Sequence, residues 1–107
     1  MNGFYKGSTG YKSNWLGKTF FASKNSGVNN FRENGKVVTK YPFKTYIKKE
    51  NLMLDYNLKE NPWWLRKIID EVVETKPNKF KGIMKIKIIP GILLPIARFR
   101  LEKSIKI

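Results

Sequence analysis

The sequence predicts a mainly β protein: a small antiparallel β-barrel or strongly curved sheet of about seven strands with one short helix. Three observations lead there. Apolar and β-branched residues alternate with lysines over several separate stretches, the period of a sheet with one dry and one wet face. Clusters of Gly, Asn, Ser and Pro separate those stretches at hairpin spacing. One segment alone, residues 61–72, takes a helical period instead. A chain of 107 residues has room for one core, so 1–107 reads as a single domain.

Taken in order, the first ten residues, MNGFYKGSTG, set Phe4 and Tyr5 among glycines and suit a short edge strand or a lid. A β-forming run from Trp15 to Ala22 follows and ends in the turn-prone Ser23-Lys24-Asn25-Ser26-Gly27. Residues 28–33 make a second short strand. Asn34-Gly35 then signals a hairpin, because a type I′ turn needs φ > 0 at both central positions. Beyond it, Val37, Thr39, Tyr41, Phe43, Thr45 and Ile47 form one row, opposite Lys36, Lys40, Lys44 and Lys48. Pro42 cannot donate to a ladder and belongs at a bulge or an edge.

After a turn at 48–51, Leu52, Leu54 and Tyr56 share one face and leave Met53 and Asp55 on the other. Asn61-Pro62 has the form of an N-cap followed by proline at the first helical position. Leu65, Ile68, Ile69 and Val72 fall at i, i+3, i+4 and i+7. This predicts a short helix ending near Ile69, although the β-branched tail, 69–75, also fits a strand feeding the turn at 76–79. Phe80, Gly82, Met84, Ile86 and Ile88 alternate again, and a last strand sets Ala97, Phe99 and Leu101 against Arg98, Arg100 and Glu102.

The absence of cysteine and histidine removes disulfides, thiol nucleophiles, Cys/His zinc sites and Ser-His-Asp triads from consideration. The eight acidic residues form no Asp-rich loop for a hard cation, and no particular cofactor is implied. There is no run of about 20 apolar residues to span a bilayer. The first residues lack the apolar region of a secretory signal, so the cytoplasm is the expected location. The net charge of +14 favours an anionic partner, nucleic acid or lipid head groups. The Lys36, Lys40, Lys44 and Lys48 face is the candidate surface for it; a solvated lysine surface is the plain alternative.

Several groupings bear on chemistry. Trp63 and Trp64 are adjacent, so one plugs the open end of the sheet while the other lines the mouth of a cavity. Asp55, Arg66, Asp70 and Glu71 are the grouped polar residues set amid apolar ones. On a helix, Arg66–Asp70 and Lys67–Glu71 are surface pairs. On a strand from Ile69, Asp55 and Asp70 or Glu71 face a common cavity and would serve acid–base work. Residues 88–97 carry no charge and include two prolines. Flanked by Lys85, Lys87 and Arg98, that tip either plugs the core or touches an anionic bilayer. Gly17-Lys18-Thr19 lacks the earlier glycine of a phosphate loop.

Trp15-Leu16-Gly17-Lys18-x-Phe20, Gly27-Val28-Asn29-x-Phe31, Leu54-Asp55-Tyr56, Asn61-Pro62-Trp63-Trp64-Leu65-Arg66, Asp70-Glu71 and Gly82 together resemble small lipocalin-like (calycin-like) bacterial proteins. The nearest is the GXWXG group with its companion domain of unknown function. The resemblance covers most of the chain after residue 14, with Ser13 standing where that group's name expects glycine. It implies a small calycin-like barrel and a small apolar ligand, and it carries over no catalytic residues.

The combined expectation is a monomeric or homodimeric barrel that binds a small hydrophobic or amphipathic molecule without catalysis. Trp15, Phe20, Phe31, Tyr56, Trp64 and Met84 are expected to line its cavity, with Lys18 or Arg66 meeting an acidic head group. The rivals are polyanion binding through the lysine face and a carboxylate-based enzyme using Asp55 with Asp70 or Glu71.

Overall fold

The computed structural model describes residues 1–105 and shows a closed antiparallel barrel. Its strands are β1 (Gly3–Ser8), β2 (Trp15–Phe21), β3 (Ser26–Glu33), β4 (Lys36–Lys48), β5 (Asn51–Asp55), β6 (Ile68–Lys76), β7 (Lys79–Ile89) and β8 (Ile92–Lys103). Each pairs with the next, and β8 returns to β1, Tyr5 opposite Lys103. Closure pairs every strand on both sides, apart from the end of the β7–β8 hairpin, which runs beyond Ile68 and Ser8. Among the described residues the helical pieces are single 3₁₀ turns at Ala22–Lys24 and Leu65–Lys67. No helix among them is long and apolar enough to cross a membrane.

The wall has eight strands rather than seven: the stretch expected to be helical up to about Ile69 is a loop closed by one 3₁₀ turn, and the residues after it take the alternative reading, a strand. Asn61 caps no helix; its side-chain amide donates to the carbonyls of Pro42 and Tyr56, at 2.8 and 2.9 Å. The N–H groups of Leu65 and Arg66 both reach the Pro62 carbonyl, which makes a single turn. The chain is extended from Ile68 onward. Without β6, the facing edges of β5 and β7 would have no partner; with it, Asp70 pairs with Leu54 on one side and Met84 on the other. The four apolar positions are all buried, but for separate reasons. Leu65 sits in the turn, Ile68 and Val72 point inward, and Ile69 lies on the outer face with Met53.

A second departure sits in β4. Lys40 pairs with Asn29 and Phe43 with Gly27, so Tyr41 and Pro42 together oppose Val28. This is a β-bulge; it holds the proline and places Tyr41 at φ 57°. The extra residue reverses side-chain parity. Phe43 and Thr45 point inward, whereas Val37 and Thr39, expected on the same row, point outward. Lys36 and Lys40 therefore share a face with Phe31 and Asn29, while Lys44 and Lys48 lie on the other. All four are exposed, but they form no continuous stripe.

The interior is filled by aromatic rings laid against glycines. Tyr5, Phe20, Phe43 and Tyr56 meet edge to face in a chain, with centroids 5.4 to 5.5 Å apart. A Cβ added at Gly82 would stand 2.1 Å from the Phe99 ring, and one at Gly27 2.4 Å from Phe43. Small residues facing large ones are how a narrow barrel reaches close packing. The Asn34-Gly35 hairpin forms as its sequence predicts, with φ of 52° and 76°.

Candidate functional site

Three charged or polar side chains point into the barrel from neighbouring positions of the β2–β3 and β5–β6 walls. Lys18 shares the parity of Phe20, Asn29 that of Phe31, and Asp70 that of Ile68 and Val72. Lys18 and Asp70 are 3% and 0% exposed, with Nζ 3.3 Å from Oδ2. The Lys18 ammonium also donates to Asn29 Oδ1 at 2.8 Å and to the Tyr56 hydroxyl at 2.5 Å. Its three protons therefore have three acceptors.

The Tyr56 hydroxyl donates to Asp70 Oδ2 at 3.2 Å and accepts from Asn29 Nδ2 at 2.9 Å. Asn29 is oriented by its other contacts: Nδ2 donates to the Tyr41 carbonyl, and Oδ1 accepts from the Trp15 indole, each at 3.0 Å. Reversing this amide would set its NH₂ against two donors. The rings of Trp15, Phe43, Tyr56 and Phe99 surround the ammonium, with centroids 5.2 to 5.6 Å away, where cation–π attraction is appreciable.

Burial governs the ionisation of this cluster. It lowers Lys18, against the pull of Asp70, and it raises Asp70, against Lys18 and Tyr56. Burial also pushes Tyr56 well above the ordinary phenol value, with the Asp70 charge adding to the effect. Lys18 and Asp70 are thus each other's countercharge, and the cluster as a unit is neutral. Asp70 Oδ1 is buried with no hydrogen-bond partner among the described residues. A buried pair of this kind is weak support for stability, because desolvation offsets much of its attraction.

Above the cluster, one end of the barrel opens into a cavity of about 280 Å³. Lys18, Asn29 and Tyr56 lie at its floor, and Trp15, Phe31, Tyr41, Met84 and Phe99 form its wall. Trp64 stands at the mouth, half-exposed and edge to face with Tyr41 at 6.3 Å. Arg98 and the 9–14 loop complete the rim. Trp63 is 73% exposed, so neither indole is a plug; Trp64 is the one that lines the opening.

Of the expected site residues, Trp15, Lys18, Phe31, Tyr56, Trp64 and Met84 come together here. Phe20 does not line the cavity; it lies deeper, packed between Tyr5 and Phe43. Arg66 does not face it either. Its guanidinium donates to the carbonyls of Leu58, Lys59 and Asn61, which holds the 56–67 loop and with it Trp64. Asp55 accepts from the backbone N–H of Asn57 at 2.9 Å and lies on the outer face, since its neighbour Leu54 points inward opposite Asp70. Glu71 is also on the outer face, bonded to Lys85 and Asn51. The expected carboxylate pair therefore does not converge.

Asn29 was legible by parity, as a polar residue in register with Phe31; Asp70 stood out as a carboxylate amid apolar residues, and its inward register with Ile68 and Val72 follows only from the strand. Tyr41 was placed in the dry row with Phe43 but not in the cavity wall, where the bulge at Tyr41-Pro42 sets it. Comparison of the chain with protein-family models, with curated proteins and with solved structures yields no match.

Proposed function

We propose that the protein binds a small, mainly apolar ligand in the cavity between Trp15, Phe31, Trp64 and Met84, without catalysis. The observation that carries this reading is an aromatic-walled opening above a polar floor that is already neutral and nearly saturated. A volume of about 280 Å³ is close to the lower end, about 300 Å³, of ordinary ligand pockets. It suits a ligand of one or two rings rather than a long lipid. Lys18 has Asp70 as its countercharge, so an acidic head group gains little by approaching it. A charged end, where the ligand has one, is better placed at the rim beside Arg98. The resemblance to lipocalin-like proteins implies the same kind of ligand and is part of this proposal.

Calorimetric titration with 1-naphthol, a two-ring body with one hydroxyl, tests the proposal. Wild type is expected to bind one equivalent. Ala97→Phe, which puts a ring into the cavity from β8, is expected to lose that binding while keeping the wild-type strand spectrum. Equal binding by the two proteins would overturn the assignment.

A further inference from the structure

The cavity end of the barrel differs from the opposite end in what surrounds it. Strands β7 and β8 run past the rim to a tight turn at Pro90-Gly91, with Gly91 at φ 84°. The projecting part exposes Ile88 (57%), Ile89 (52%) and Ile92 (46%), followed by Leu94 and Ile96. The β6 ladder stops at Ile86 and the β1 ladder at Arg100, so the hairpin is two-stranded beyond them. The 56–67 loop at the same end presents Trp63, the most exposed of the tryptophans. An uncharged, isoleucine-rich tip with an exposed indole on a loop at the same end has the make-up of a surface that inserts shallowly into a lipid interface.

The charges at this end match an anionic lipid surface. Its four connections, 9–14, 34–35, 56–67 and 90–91, hold Lys12, Lys59, Arg66 and Lys67 against a single acid, Glu60. Lys87 and Arg98 are exposed on the hairpin itself. Lysines near the headgroups each add attraction that fades within a Debye length. We propose that the 88–96 hairpin tip, with Trp63, docks this end of the barrel onto an anionic bilayer and turns the cavity mouth toward the lipid. The docking rests on the tip and its flanking charges, and stands whether or not the cavity is occupied.

Co-sedimentation with phosphatidylcholine vesicles containing 30% phosphatidylglycerol tests it. Wild type is expected to partition to the vesicles, with a blue shift of tryptophan emission, and to do so at least tenfold more weakly with phosphatidylcholine alone. Ile88→Ser/Ile89→Ser/Ile92→Ser changes only exposed positions and is expected to lower partitioning at least tenfold with an unchanged melting temperature. Lys59→Glu/Lys67→Glu is expected to weaken it similarly, and Lys24→Glu/Lys49→Glu, at the far end, to have little effect. Wild-type partitioning by the triple-serine variant would overturn the proposal. So would a fall equal to that of Lys59→Glu/Lys67→Glu from the far-end pair, or binding to a DNA duplex as strong as to the mixed vesicles. A dimer in solution that the triple-serine variant abolishes would assign the tip to a second copy instead.

Discussion

Replacing Lys18 by methionine removes the buried cation while keeping an unbranched side chain in its channel. Asp70 then remains at 0% exposure, with the Tyr56 hydroxyl as its remaining donor. Deleting one partner of a buried ion pair costs about 3–5 kcal/mol, a large part of the roughly 5–15 kcal/mol that holds a domain folded. With a urea slope of about 1.5 kcal/mol per molar, the midpoint falls by roughly 2–3 M. The loss depends on pH, and its sign follows from Asp70. Burial raises that carboxyl and Lys18 opposes the rise, so the variant's folded value is higher still.

A raised folded value gives stability that is complete below the unfolded carboxyl value of about 3.9 and is lost as pH climbs through the folded one. Lys18→Met should therefore lie closest to wild type in acid. Over that window it should fall behind by up to about 1.4 kcal/mol per pH unit. Lys18→Met/Asp70→Asn removes the titrating group, so the slope should vanish and much of the stability return. Urea titrations of these proteins at pH 5 and pH 8 make the comparison. A Lys18→Met midpoint equal to wild type at pH 8, or the same deficit at both pH values, refutes the reasoning.

Other outcomes follow from the same structure. Gly82→Ala forces a methyl to within 2.1 Å of the Phe99 ring; overpacking of this kind costs about 1–3 kcal/mol, and thermal melting should show it. Leu54→Ala empties a fully buried position facing Asp70 and should cost about 2–5 kcal/mol in urea unfolding. Glu71 is held below the usual glutamate value by its bonds to Lys85 and Asn51. Its contribution is therefore present above the unfolded value and lost as pH falls through the folded one. Melting curves of Glu71→Gln between pH 3 and pH 7 should accordingly lack part of the wild-type acid loss. Arg66→Met frees three loop carbonyls and should raise the exchange rate of the 56–67 amides while leaving the barrel amides protected.

The strands with simple alternation were legible because a half-buried sheet needs nothing else: β7 from Phe80 to Ile86, β8 from Ala97 to Glu102 and the second half of β4 follow their patterns residue by residue. Two local features broke the reading. The bulge at Tyr41-Pro42 adds one residue, and a single added residue moves every later side chain to the other face; Pro42 marked the place but not the flip. In 61–72, apolar residues at helical spacing came from a turn, two inward positions and one outward position that happens to be covered. The β-branched tail, 69–75, carried the opposite signal, and long-range pairing with β5 and β7 decided between the two.

The aromatic wall was largely visible, since Trp15, Phe31, Trp64 and Met84 stood out by type and position. The neutrality of the floor was not. Lys18 and Asp70 are 52 positions apart in the chain, and only closure of the barrel sets them 3.3 Å from one another.

If small apolar molecules enter this cavity as proposed, the methionines report on it directly. Of the three, Met84 is in the cavity wall, Met53 is buried on the outer face, and Met1 packs against the core from the chain start. In a spectrum of protein labelled with ¹³C at the methionine methyls, added 1-naphthol should shift the Met84 signal in a saturable way and leave Met53 in place. A Met84 signal that stays fixed, or that moves no more than Met53, would mean that the cavity takes no such ligand.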